Sequence, residues 1–303
     1  GDQTIVHRYW YPSMVVDYTL SLEQCVHDLG ESIMKAIKKR LITDDVYCFL
    51  SGGIDSSAVV SFASELSGKP VHAISVGFQE EERNELDDAA LMARHVGAEH
   101  HQVIAKPDFF FDMLGLMVRH HDTPFTDSSA YPTYYAAQCA SKWTDIILTG
   151  DGPDQIMGGS GHHVFAAQHK IFTKRNPLVQ RFSGLGASTA RLFRDNPTPT
   201  YISKVYRKLY RESLSPIHAA YDLRSYFPDI VKKFICSEEL WNIHTNDSPY
   251  RHPEAWFEEG KHLDEINKYL LADILFYLPD DLMVKVDRMC MAHGLETLSP
   301  FLD

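Results

Sequence analysis

The chain is poor in three things, and each excludes a class of protein. Its five cysteines, Cys25, Cys48, Cys139, Cys236 and Cys290, are odd in number and lie tens of residues apart, with no Cys-x-x-Cys pair. That pattern excludes a disulfide framework or a paired-cysteine zinc ribbon and predicts reduced thiols in a cytoplasmic protein. No apolar run approaches the roughly 20 residues of a membrane-spanning helix, and the first residues lack the basic-then-apolar pattern of a secretory leader, so no membrane partner is expected. Positive charge is also short: 29 Lys+Arg against 41 Asp+Glu give a net charge of −12. A phosphate backbone demands the opposite balance, so no nucleic-acid partner is expected, although a local pocket for a small anion is compatible with that total. What remains is a chain of 303 residues, 44% hydrophobic, long enough for one large core or two modest ones.

Apolar Leu22, Cys25, Val26, Leu29, Ile33 and Ile37 recur at helical spacing between Leu20 and Leu41. Lys35, Lys38, Lys39 and Arg40 fall at the end where the helix dipole favours cations, and an amphipathic helix is expected there. Three runs then read as buried parallel strands, Val46–Leu50, Val71–Phe78 and Asp145–Thr149, with Glu99–Ile104 as a fourth. Their alternation with helical patterns predicts an α/β fold, a doubly wound parallel sheet whose ligands sit outside the carboxyl ends of its strands. Beyond about Gly158 the periodicity is helical, as over residues 172–182 and 201–214. A mainly helical second half is expected, with no further strand, no internal repeat and no low-complexity linker.

The first apolar run stops at Ser51-Gly52-Gly53, and the chain reopens as a helix at Asp55-Ser56-Ser57. A strand that ends in glycines before a helix N-terminus presents backbone N–H groups and hydroxyls to an anion. The glycines let the backbone close on phosphate, and the serines both cap the helix and donate. A carboxylate at Asp55 belongs beside phosphates chiefly when a divalent cation lies between them. The Walker pattern fails, because no lysine follows the glycines; a plain capped turn is the bland alternative. Ser-Gly-Gly-x-Asp-Ser-Ser resembles the PP-loop of the ATP pyrophosphatases. These enzymes, of adenine nucleotide alpha hydrolase-like fold, split ATP between the α and β phosphates and activate a substrate as an adenylate.

Two further motifs narrow the resemblance. "LTGDGPDQIMGG", Leu148 to Gly159, puts two acids three apart, Asp151 and Asp154, on a glycine-rich loop after the third strand. Such a loop suits a magnesium ion on pyrophosphate and a hydrogen bond from a reacting amine; a solvated acidic turn is the alternative, and the EF-hand pattern is not met. The stretch resembles the asparagine synthetase motif L-S-G-E-G-S-D-E-x-F-G-G. "LPDDLMVKVDRMCMAHGLETLSPFLD", Leu278 to Asp303, is similar to the same family's LPDDLLxKVDRxSMAxxLExRxPFLD. Within it Lys285 lies between Val284 and Val286, with Asp281 four residues before and Asp287 and Arg288 just after. From helix geometry alone such a lysine is either half of a structural ion pair or a cation held for chemistry. "NELDDAALMARHVGAEHH", Asn84 to His101, resembles the family's acid-then-AR-x-V-A-x-x-L-G-T-x-H-H segment, so the likeness runs from about Arg8 to Asp303.

The resemblance implies an asparagine synthase, an ATP-dependent, AMP-forming C–N ligase that uses Mg2+. The side-chain carboxylate of aspartate attacks the α-phosphorus, pyrophosphate leaves, and ammonia from a glutaminase domain displaces AMP. In the implied site Ser51, Gly52, Gly53, Asp55, Ser56 and Ser57 hold ATP and pyrophosphate, with Val76, Thr149 and Gly150 near the nucleotide. Asp55, Asp154 and Glu85 hold metal; Lys285 and Asp151 are catalytic. The implied organisation is a linker arm over residues 1–19 and a synthetase domain over 20–303, the family's N-terminal glutaminase domain lacking and the C-terminus shortened, with a homodimer possible.

Departures from the family pattern bear on the substrate. Asp151 stands where the family usually has Glu, Gln155 replaces a second acid, and Leu298 occupies a place often held by arginine. A PP-loop amidotransferase or cyclase acting on a sugar acid, peptide or amino-acid derivative is therefore the alternative, with a non-catalytic nucleotide-binding module behind it. tRNA thiolation is disfavoured by the acidic charge and scattered cysteines. The pairs His100-His101, His120-His121 and His162-His163 invite a zinc reading, yet adjacent residues on a strand point to opposite faces and no His-x-x-x-His accompanies them; packing roles are expected. Tyr131 to Ala137, "YPTYYAA", reads as a core helix face that could also wall the acid pocket.

Overall fold

Side-chain alternation along five short strands organises the larger part of the chain. The computed structural model describes residues 5–78, 85–105, 110–164, 211, 214–225, 232, 235–246 and 250–303. Two compact units are distinguished: residues 16–153 with 277–303, and residues 1–15 with 154–276. The helical segments expected over 172–182 and most of 201–214 lie outside the described residues. No described helix is long and apolar enough to cross a membrane.

In the first unit, β1 (Tyr47–Phe49), β2 (His72–Phe78), β3 (Glu99–Ala105), β4 (Ile146–Leu148) and β5 (Glu296–Leu298) form one parallel sheet in the order β3-β2-β1-β4-β5. Successive residues of each strand face opposite sides. Cys48, Leu50, Ala73 and Leu148 meet Ile33, Ile37, Val59, Val60, Ala63, Ala89 and Ala93 on one side, from α1 (Leu22–Arg40), α2 (Ile54–Ser67) and α3 (Leu86–Val96). Ile74 and Ile147, with Tyr47 and Phe49, meet Ala137, Ala140, Val286, Cys290 and Leu295 on the other. Ala137 and Ala140 come from α5 (Ala130–Ala140), Val286 and Cys290 from the helix Val284–Met291. Between β3 and α5, α4 (Phe110–His121) inserts Met113 against Ala105, Ala130 and Met289. The sheet is covered on both faces, as the predicted doubly wound fold requires.

Two expectations change. Ser21 caps α1, accepting from Gln24 N at 3.2 Å, and the basic last turn is present; but of its predicted apolar stripe only Ile33 and Ile37 are buried, whereas Leu22, Val26 and Leu29 are exposed. The periodicity marks the helix, and the sheet reaches only its C-terminal half. β5 is a strand where none was expected. It is three residues long at the sheet edge, with one apolar side chain, too little for a pattern to register.

The second unit, where described, is helical: the π turn Asp154–Gly158 and the start of the π helix Asp273–Met283, with Pro216–Asp222, Glu238–Asn246, Arg251–Glu259 and Glu265–Ala272 as α-helices. Ile217, Ala220 and Tyr269 form its apolar cluster. Beside it Asp273, 1% exposed, accepts both Arg224 guanidinium nitrogens at 2.8 and 2.7 Å, with His162 Nε2 at 2.8 Å and His163 Nε2 at 3.1 Å from the carboxylate. Burial alone pushes the Asp273 carboxyl up; donation from His162, His163 and Arg224, with the guanidinium charge, outweighs it and holds the group well below the usual carboxylate range.

A depressed carboxyl contributes stability above its unfolded value of about 3.9, and that contribution is lost as pH falls below it. Asp273→Asn is therefore expected to cost on the order of 3 kcal/mol in urea unfolding at pH 7, a gap to wild type that narrows below about pH 4. A gap independent of pH contradicts the pairing.

Candidate active site

The first predicted loop lies where β1 feeds α2. Leu50 N donates to Ile74 O at 2.9 Å, so the ladder runs one residue past β1 before the chain turns. Gly53 is the extended N-cap of α2, leaving the backbone N–H groups of the first turn pointing outward. Ser51 and Ser56 tie the loop together: Ser51 N donates to Ser56 Oγ at 3.1 Å, the two hydroxyls meet at 3.0 Å, and Gly53 N donates to Ser51 Oγ at 3.2 Å. Ser57 N closes the first helical turn on Gly53 O. Gly52 adopts φ +89°, and a Cβ there would lie 2.8 Å from Asp88 Cβ and 3.1 Å from Glu85 O. Glu85, exposed at the start of α3, is thus brought beside this loop.

The second loop follows β4. Thr149 is buried and donates its N–H to Leu298 O at 2.9 Å, and Ser299 Oγ donates to Asp151 O at 2.6 Å, so β5 and its sequel fasten the loop. A Cβ at Gly150 would stand 2.7 Å from Ser56 N, which means that the two loops touch backbone to backbone. Between them opens a cavity of about 340 Å³, lined by Ser51, Gly53, Asp55, Ser56, Thr149, Gly150 and Asp151. Phe49, Ile74, Val76 and Pro132, Thr133 and Ala136 of α5 form its apolar walls. β1 and β4 are the strands between which the order reverses, and the cavity sits at their carboxyl ends, where open α/β sheets bind ligands. Its polar lining is all oxygen and backbone, the donor chemistry that suits Mg2+, apart from the Cys290 thiol. Burial, then Asp151 and Asp287, pushes that thiol up to about 12, so it stays protonated and serves as wall rather than nucleophile.

Lys285 is buried, 7% exposed, on the helix that contributes Val286 and Cys290 to the cavity. Its Nζ donates to Ser129 Oγ at 3.0 Å and lies 3.6 Å from Asp127 Oδ2, while Asp127 Oδ1 accepts Ser129 N and Oγ at 2.9 and 2.7 Å. The lysine has an ion-pair partner, Asp127 just before α5 rather than Asp281, and its neighbour Val286 lines the cavity. Asp127 and Ser129 were not foreseen, since nothing in "TDSSA" ties them to a lysine 156 residues away. In Tyr131 to Ala137 the expected core face is present, with Tyr131, Tyr134 and Ala137 buried, and Pro132, Thr133 and Ala136 line the cavity. Asp154 opens the π turn of the second unit, exposed, its carboxylate against Gly159.

Comparison with known proteins follows this geometry. The asparagine synthase family model matches residues 28–303. The chain belongs to the asparagine synthase family. "Asparagine synthetase [glutamine-hydrolyzing] 1" of Bacillus subtilis is 28% identical over 284 residues, covering 93% of this chain and 42% of that protein. A "putative asparagine synthetase [glutamine-hydrolyzing]" of Mycobacterium tuberculosis is 27% identical over 308 residues, covering 99% of this chain and 44% of that one. The chain thus spans less than half the length of these relatives. Among solved structures, an "NH3-dependent NAD synthetase" from Campylobacter jejuni aligns over 63% of this chain and 97% of that one, at 15% identity and a TM-score of 0.32.

Because the loops touch at Gly150, Gly150→Ala is expected to push them apart and weaken ATP binding about tenfold, on the order of 1.4 kcal/mol, by titration calorimetry. Unchanged affinity contradicts the contact.

Proposed function

We propose that this chain, over residues 20–303 with 1–19 as a leading arm, is the synthetase portion of an ATP-dependent amide-forming ligase whose acid is the aspartate side chain. The observation that carries the reading is the convergence of the two glycine loops on one cavity at the strand-order reversal. In family members that PP-loop chemistry splits ATP between its α and β phosphates. The relatives' names support the amide product and, carried to this chain, an ammonia supply from a glutamine-hydrolysing portion.

In the proposed reaction a carboxylate oxygen of the acid attacks the α-phosphorus and the bond to the β-phosphate oxygen breaks. Pyrophosphate leaves toward the amides of Gly52 and Gly53 and the hydroxyls of Ser51, Ser56 and Ser57, which exchange their mutual hydrogen bonds for phosphate oxygens. Val76, Thr149 and Gly150 flank the nucleotide. Ammonia then attacks the acyl carbon of the adenylate, AMP departs, and Asp151 takes up the amine proton. Lys285 balances charge on the α-phosphate and on the developing oxyanion; its hold by Ser129 keeps the ammonium from wandering on its flexible stem. Asp55 and Glu85 would hold Mg2+, whose chemistry there would be to neutralise charge on the departing pyrophosphate; Asp154, the third ligand that the resemblance implies, belongs to the other unit.

A second reading keeps the chemistry and changes the acid. Leu298 packs against the core cluster of Cys48, Leu50 and Leu148, where a family arginine would offer charge to a substrate carboxylate. That favours a carboxylic acid without the α-amino acid headgroup.

The test is pyrophosphate release from Mg-ATP with ammonium and a panel of acids headed by aspartate, with Asp55→Asn as the blank. Aspartate-dependent release with asparagine and AMP as products is expected, and Lys285→Ala should lose about a hundredfold or more, on the order of 3 kcal/mol, with the fold retained by circular dichroism. Release with another acid alone selects the second reading, and wild-type turnover by Lys285→Ala contradicts the lysine's role.

A further inference from the structure

Two groups of three metal-capable side chains occur among the described residues. In one, His162, His163 and Asp273, the Arg224 guanidinium already occupies the carboxylate and stands 2.6 Å from His162 Nε2, so a second cation has no room. The other, His72, Glu99 and His101, has no such competitor among the described residues.

We propose that His72, Glu99 and His101 form a zinc site at the amino ends of β2 and β3, the opposite end of the sheet from the nucleotide cavity. Glu99 and His101 are two apart on β3 and so share a face, and His72 is directly opposite Glu99 in the ladder, which puts the third ligand on that face as well. His72 Nδ1 lies 3.2 Å from His101 Nε2 and 3.4 Å from Glu99 Oε2. Ligand bonds of about 2.0–2.1 Å at tetrahedral angles place neighbouring ligand atoms about 3.3 Å apart, so both separations match the edges of a zinc tetrahedron. Hydrogen bonding explains the trio less well. Nδ1 has one proton or one lone pair to offer, faces two partners, and meets both at distances longer than the usual bond.

The rings are also held ready. Tyr47 stacks on His72 with centroids 4.4 Å apart and planes 14° apart, and Trp143 lies against His101 at 4.8 Å. This aromatic shell fixes the imidazole planes around an ion in the way that outer residues tune metal sites. The Glu99 side chain is 63% exposed, which gives the ion an entry path and leaves a fourth position for water. A metal there clamps β2 to β3 and is independent of the ligase reading.

The full chain, stripped with chelator, is titrated with Zn2+ alongside a His72→Gln, His101→Gln double variant, and both are then loaded with Co2+ for its visible spectrum. Wild type is expected to bind one equivalent more than the variant, with intense four-coordinate cobalt bands that the variant lacks; Glu99→Gln should weaken zinc about tenfold or more. Melting without metal shows whether the variants fold, and zinc should raise the melting temperature of wild type only. Equal stoichiometry in wild type and a folded double variant, or identical weak six-coordinate cobalt spectra in both, overturns the site.

Discussion

The structure depends on one close approach: the backbone at Gly150 against the first turn of α2 at Ser56. A Cβ on residue 150 would stand 2.7 Å from Ser56 N, so the second loop reaches the helix N-terminus only because it has no side chain there. The approach in turn requires β1 and β4 to be neighbours in a parallel sheet, and that adjacency is where the strand order reverses. Outward-pointing N–H groups from one loop and a carboxylate from the other thereby line the same 340 Å³ space. Helix N-terminal N–H groups are the donors an anion needs and carboxylates the donors a hard cation needs, and one geometry brings both to the same space.

A second constraint sits on the opposite wall. Burying an ammonium is costly unless it is paired and hydrogen-bonded. Lys285 meets that demand through Ser129 and Asp127, themselves linked by two hydrogen bonds. Cys290, five residues on, lines the cavity, and burial pushes its thiol up to about 12. The thiol is therefore a wall group rather than a nucleophile.

The elements built from local patterns were legible in the sequence. "VYCFL", "VHAISVGF" and "DIILT" mark β1, β2 and β4 to within a residue at either end, since buried parallel strands are short apolar runs, and "EHHQVI" marks the more polar edge strand β3 as closely. The two loops were legible because glycine, hydroxyl and carboxylate follow a strand in a fixed order. Contacts that only the fold creates were not. Ser129 reaches Lys285 across 156 residues and Asp127 accompanies it, β5 is an edge strand with one apolar side chain, and the exposed half of α1 carries the same periodicity as its buried half. The histidines make the same point. Along β3, His100 and His101 point apart, which argues against a metal, and only the parallel register with β2 sets His72 beside His101.

Attack of a carboxylate oxygen on the α-phosphorus, in the cavity between the two loops, can be followed with aspartate labelled with oxygen-18 in the side-chain carboxylate, given with Mg-ATP and ammonium, by mass analysis of the nucleotide product. AMP carrying one labelled oxygen is the expected product. Unlabelled AMP, or ADP in place of AMP, rules that attack out.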